Sequence, residues 1–143
     1  MHVVCDMDGT LFDTEFEVSI ITASLATMAG FATEADEVFC HCAGMGAREK
    51  FAFLAAGAGK TVDAACLDDL AIRHEDMKSQ IYLRDDIPLM MGLHSFLYRM
   101  QDAGARLSVG SSNPTDRQAL GLIKTGSDAF FQDRLYGPDL VGG

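Results

Sequence analysis

The chain is 143 residues long, with 48% hydrophobic residues and a formal net charge of −10, which suits one soluble globular unit. That acidity, with no basic patch to offset it, argues against nucleic acid or an anionic membrane surface as a partner. No apolar run approaches a membrane span and the start lacks a basic segment followed by an apolar core, so the expected address is the cytoplasm.

The opening stretch, MHVVCDMDGTLFDTE, predicts a short strand over His2–Cys5, with Asp6 and Asp8 at or just past its end and Gly9 permitting a turn. Side chains two apart on extended backbone point the same way, so both carboxylates can face one small volume. Two like charges so placed repel, and the arrangement calls for a shared cation or proton. A helix is expected from near Thr14, with Phe16, Ile20, Ile21, Leu25 and Met28 as its apolar positions and Gly30 as its stop. Shorter helices follow over 33–42, with an acidic first turn, and 47–56. A longer one over 62–83 has Thr61 as its expected cap. Residues 85–92 read as a connector.

The pattern then changes. Leu93, Phe96, Leu97 and Met100 mark a helix ending at Gly104, and Arg106–Gly110 reads as a strand. A polar turn and a helix over 114–124 come next, with Pro114 suited to the first helical position and Ser112 or Asn113 as its candidate cap. The segment DAFFQDRLYG has room for one more short strand. Four helices thus interrupt a β-then-α/β layout, as expected for a helical bundle inserted into a parallel-sheet core.

Cys5, Cys40, Cys42 and Cys66 form no Cys-x-x-Cys pair. On a helix Cys40 and Cys42 face different ways, so they read as packing cysteines in a reducing compartment. His41, His74 and His94 are scattered and read as surface or core residues. GAGKT at 57–61 lacks the first glycine of a nucleotide loop, since Leu54 stands there, and reads as a helix stop followed by a cap.

DMDGTLFDTE resembles the first motif of the haloacid dehalogenase-like hydrolases, Asp-x-Asp-Gly-Thr/Val at the end of the first strand. LSVGSSN resembles their second motif, an apolar strand ending in Ser or Thr. The resemblance implies an α/β fold: a Rossmann-like parallel-sheet core from residues 1–13 and 87–143, and an α-helical cap from 14–86. It also implies roles. Asp6 would be the nucleophile that forms an aspartyl-phosphate. Asp8 would be the acid that protonates the leaving alcohol and then the base that activates water. Mg²⁺ would lie between the Asp6 carboxylate, the Asp8 backbone carbonyl and the phosphate. Ser111 would bind a phosphate oxygen, with the Ser112 backbone N–H beside it and Thr10 in the same phosphate-binding set. The following helix N-terminus would add positive potential. In the cap, Arg48 or Lys50 would grip the substrate.

The acid at position 8 favours a phosphoester over a halide or phosphonate. The expected activity is therefore a Mg²⁺-dependent phosphatase acting on a small sugar or organic phosphate. A β-phosphoglucomutase-like mutase is the alternative, weakened by Val18 where such mutases tend to carry a histidine. The family's third-motif lysine and fourth-motif acids would follow a segment like DRLYGPDLVGG, so the chain reads as a core whose C-terminal part is missing. As written it is expected to show little turnover, which leaves a non-catalytic fragment that binds phosphate or a partner as a further alternative.

Overall fold

β1 (His2–Cys5) pairs in parallel with β2 (Arg106–Gly110), and β2 with β3 (Leu135–Tyr136), in the spatial order β1-β2-β3. The computed structural model describes residues 1–140; the last three residues of the core segment read from the sequence lie outside that range. The chain divides into two compact units. One comprises Met1–Thr14 and the chain from Ile81 onward, and the other Glu15–Gln80. Among the described residues no helix is long and apolar enough to cross a membrane.

The second unit holds α1 (Glu15–Met28), α2 (Ala35–Cys42), α3 (Ala47–Gly57) and most of α4 (Ala64–Leu83). The buried face of α1 differs from the expected stripe. Val18, Ile21, Thr22, Ala23, Leu25 and Ala26 are buried, whereas Phe16, Ile20 and Met28 are exposed. Small residues let neighbouring helices approach closely, and that outweighs the larger apolar residues on the other side. Phe16 instead meets Phe39 of α2 edge-on, at 5.9 Å between ring centroids. The cap of α4 is also corrected. Asp63, not Thr61, turns its carboxylate back to the Cys66 amide at 2.8 Å, satisfying one of the donors a helix leaves free at its start.

His74 is a core residue, with Nε2 3.0 Å from the Thr22 hydroxyl and its ring edge-on to Phe51. His41 lies at the surface near Glu37, and His94 faces Ser127. All four cysteines are free thiols, Cys5 and Cys42 buried and Cys40 exposed. Burial raises the Cys42 thiol pKa, partly offset by the Lys50 charge.

In the first unit α5 (Leu93–Asp102) leads into β2 and buries Leu93 and Leu97, while Phe96 of the expected stripe is exposed. α6 (Thr115–Lys124), the short α7 (Asp128–Phe131) and a 3₁₀ turn (Pro138–Leu140) complete it. Pro114 precedes α6 as its N-cap with extended backbone (ψ 155°) rather than opening the helix, and no side chain of 111–113 caps it. The Asp139 carboxylate does that work from the 3₁₀ turn, accepting the Thr115 amide at 2.9 Å and the Thr115 hydroxyl at 2.5 Å.

Those two bonds, the hydroxyl's first, hold the Asp139 pKa below its ordinary 3.8. The unfolded chain therefore binds more protons between the depressed value and 3.8. The contribution to stability is complete above that window and disappears as pH falls through it. Asp139→Asn is expected to lower the unfolding midpoint at pH 7 and to converge with the unmodified chain once pH falls below the depressed value. Thermal unfolding of both across pH checks this.

Candidate active site

The site begins where β1 ends. Cys5 and Met7 are buried and Asp6 is exposed, so the strand's alternation continues through the first acid. Beyond Met7 the chain turns tightly. The amides of Thr10, Leu11 and Phe12 converge on the Met7 carbonyl at 3.3, 3.0 and 3.0 Å, and Gly9 returns its amide to Phe12 at 2.8 Å. Gly9 sits at φ +76°, in the left-handed region where a Cβ is costly. Two further bonds fasten the turn to the connector after α4: Asp13 N to Pro88 O at 2.8 Å and Met90 N to Leu11 O at 3.0 Å.

Asp6 and Asp8 have different surroundings. Asp6 Oδ1 accepts the Met7 amide at 2.7 Å, and the rest of the side chain is open to solvent. Asp8 is half-buried, and three neutral groups donate to its carboxylate. The Thr14 hydroxyl reaches Oδ1 at 2.7 Å, the Tyr82 hydroxyl donates to the same oxygen, and Asn113 Nδ2 reaches Oδ2 at 2.9 Å.

Asn113 joins the two strand ends. Its Nδ2 also lies 3.0 Å from Ser111 Oγ, and its backbone amide is 3.1 Å from that hydroxyl. Arg117 Nη1 donates to Asn113 Oδ1 at 3.0 Å. A guanidinium can only donate, so this contact fixes which end of the amide is oxygen and leaves the nitrogen for Asp8 and Ser111. Gln118, fully buried, holds the loop from below, donating to Asn113 O at 2.8 Å and to Tyr136 O at 2.9 Å. Gly137 allows this close approach, since a Cβ there would stand 2.6 Å from Asn113 O.

The structure thus brings Asp8 and Ser111 together through one side-chain nitrogen, with Asp6 at the same strand end. Thr10 is exposed on the first turn and Ser112 on the second. Arg48 belongs to the other unit, where its Nε pairs with Asp68 Oδ1 at 2.8 Å on a solvated face. Such a pair adds little stability. Lys50 is buried there rather than presented at the surface. Lys124 is engaged with Asp85 at 2.8 Å.

Asn113 appeared in the sequence as a candidate cap, and nothing local distinguishes a cap from a buried bridge. Thr14 lies in the first-motif stretch, six residues from Asp8, with nothing to mark its role, and Tyr82 carries no sequence signal for the site. Tyr82 is 74 residues from its partner, and only the fold places them together.

The solvent-facing carboxylate of Asp6 offers the kind of oxygen donor that a hard cation takes. Among the described residues no group of three His, Cys, Asp or Glu side chains could hold a metal alone. An ion bound here would take further oxygens from water and phosphate, which is the habit of Mg²⁺.

A parallel α/β sheet with acids at the tip of its first strand and a hydroxyl at the tip of the second defines the class, and the family follows. The chain belongs to the haloacid dehalogenase-like hydrolases, whose family model matches residues 3–142. Solved structures with the same fold include a haloacid dehalogenase-like protein of unknown function from Agrobacterium tumefaciens, 21% identical with a TM-score of 0.75, the match covering 99% of this chain and 60% of that one. A family hydrolase from Deinococcus radiodurans, solved with bound phosphate and sodium, is 22% identical with a TM-score of 0.65, covering 99% and 59%. A mutant of CbbY from Rhodobacter sphaeroides, in complex with xylulose-(1,5)bisphosphate, is 17% identical with a TM-score of 0.73, covering 99% and 65%. The chain spans about 60% of the length of the first two. No curated protein matches it. At these identities the likeness is one of fold, and the chemistry must be argued from the site.

Proposed function

We propose that this chain carries the nucleophile and the proton-transfer group of a Mg²⁺-dependent phosphatase acting on a small sugar or organic phosphate. One observation above all supports this: Asn113 Nδ2 spans the Asp8 carboxylate and the Ser111 hydroxyl. An acid–base group and a phosphate-binding hydroxyl thereby stand at adjacent strand ends beside an open carboxylate. The phosphate in the Deinococcus radiodurans relative and the sugar bisphosphate in CbbY are the ligand classes this reading extends to the present chain.

In this reading Asp6 is the nucleophile, a role supported by a side chain that is open to solvent. Its carboxylate oxygen attacks phosphorus, the bond to the ester oxygen breaks, and Asp8 gives that oxygen a proton. Asp8 then takes a proton from water. The resulting hydroxyl attacks the phosphorus of the aspartyl-phosphate, freeing Asp6 and inorganic phosphate and returning Asp8 to its protonated form. Ser111 and Thr10 donate hydroxyls to phosphoryl oxygens, with the Ser112 amide beside them. The Asp6 carboxylate and the Asp8 main-chain carbonyl are the groups that would hold Mg²⁺, which when bound neutralises charge between carboxylate and phosphate.

Glu15–Gln80 is the substrate-selecting cap in this reading, with Arg48 as a substrate contact once released from Asp68. Val18, where the resemblance puts a mutase histidine, is a core residue 2% exposed, so the phosphatase is preferred over the mutase. The test uses the full-length gene product and a panel of sugar and carboxylate phosphates. Phosphate release is expected with Mg²⁺ and should fall to background with a chelator. Release unaffected by chelation, or none from any ester, overturns the reading.

A further inference from the structure

Tyr82 lies outside both sequence motifs, yet its hydroxyl ends on the acid that the mechanism uses. The side chain is 0% exposed on the last turn of α4. Its ring is packed against Phe12, at 6.2 Å between centroids. α6 closes the other side, where a Cβ at Gly121 would stand 3.1 Å from Tyr82 Cδ1 and 2.9 Å from Phe12 Cε2. Held in this way, the ring has little freedom, and its hydroxyl is aimed at Asp8 Oδ1. Burial foremost, then the Asp8 charge and the hydrogen bond to it, keep the phenol pKa well above the usual tyrosine range. The hydroxyl is therefore a neutral donor.

A carboxylate rotates easily about its last torsion, where the energy wells are broad. Asp8 is denied that freedom by three donors from three separate stretches of chain: Thr14, Tyr82 and Asn113. We propose that Tyr82 is a positioning residue for Asp8, fixing with Asn113 the orientation from which the carboxyl group exchanges a proton with the ester oxygen. This rests on the reading of Asp8 as the acid–base group. Tyr82 itself touches neither the phosphoryl group nor the leaving oxygen in this scheme. Its loss should weaken proton transfer rather than substrate binding.

Tyr82→Phe keeps the ring and its packing and removes only the donor. In the full-length gene product, kcat/KM is compared for a sugar phosphate, whose alkoxide needs a proton to leave, and for p-nitrophenyl phosphate, whose phenolate does not. The ratio kcat/KM covers the steps through phosphoryl transfer, so it senses the leaving group. Tyr82→Phe is expected to cost about 30-fold on the sugar phosphate with KM little changed, and about 3-fold on p-nitrophenyl phosphate. Equal losses on both esters would mean a merely structural tyrosine and overturn the proposal. No release from either ester by the unmutated protein would instead overturn the phosphatase reading. A thermal-unfolding cycle of Tyr82→Phe and Asp8→Ala, singly and together, needs no turnover. Tyr82→Phe should lower the midpoint by about 5 °C alone and by about 1 °C once Asp8 is gone. The same shift in both backgrounds also overturns the proposal.

Discussion

Asp6→Asn is expected to abolish phosphate release, by roughly four orders of magnitude or more, while moving the unfolding midpoint by no more than about 1 °C. The two halves of this expectation have separate causes. Asp6 is exposed, and the one bond shown for its side chain is accepted, from the Met7 amide at 2.7 Å. An asparagine oxygen accepts that bond equally well, so folding has little to lose. The chemistry loses the attacking group itself, because a neutral amide oxygen is a poor nucleophile towards phosphorus. The change also removes the negative charge that a cation at this strand end would need. Phosphate release by the full-length gene product, measured beside its melting curve, checks both halves. Release at the normal rate would show that Asp6 is not the nucleophile. A lost activity accompanied by a collapsed midpoint would show that its role is structural.

How far the residues announced this structure depends on how local each signal is. The strand and turn over residues 2–9 were legible because a run of β-prone residues, two acids and a glycine is a pattern of adjacent positions. The four helices between 14 and 85 were legible from spacing and glycine stops, with boundaries that shift by at most two residues, as helix ends commonly do. The packed face of α1 was legible only in part, at Ile21 and Leu25. Phe16, Ile20 and Met28 have the right spacing for a core stripe, but close packing selected a face rich in Ala, Thr and Ser. Periodicity detects that a helix is amphipathic more readily than it decides between two partly apolar faces.

The site divides along the same line. Asp6, Asp8 and Ser111 sit in short motifs and were legible. Asn113 was visible only as a possible cap, and the real cap, Asp139, lies 24 residues beyond the amide it serves. Tyr82 reaches Asp8 through tertiary folding alone, and no window of sequence contains that information, whereas Thr14 is six residues from Asp8 within the first-motif stretch and only its role goes unmarked there.

Asp8→Asn should behave quite differently from the same change at Asp6, although both are isosteric. The expected loss of activity is about 10²- to 10⁴-fold, the usual worth of a positioned acid–base group, together with a midpoint lowered by about 5 °C. An ionised carboxylate offers only acceptors, and the Asp8 carboxylate uses both of its oxygens: Oδ1 for the Thr14 and Tyr82 hydroxyls, Oδ2 for Asn113 Nδ2. A carboxamide has one accepting end. If its oxygen keeps the two hydroxyls, its nitrogen faces the Asn113 nitrogen, donor against donor. If it turns over, its nitrogen can donate to the two hydroxyls, but both must then turn their own protons away from position 8 to other acceptors. Asn113 cannot relieve the conflict by flipping, because its nitrogen would then meet the Arg117 guanidinium, which only donates. Adding Asn113→Asp to the Asp8→Asn background restores an acceptor opposite the new amide. It also keeps an oxygen for Arg117 and accepts the Ser111 hydroxyl. The double variant is therefore expected to recover most of the lost midpoint without recovering turnover, since the acid at position 8 is still missing. A double variant no more stable than Asp8→Asn alone would show that Asn113 does not face Asp8 in the folded protein. The bridge between the two strand ends would then have to be abandoned.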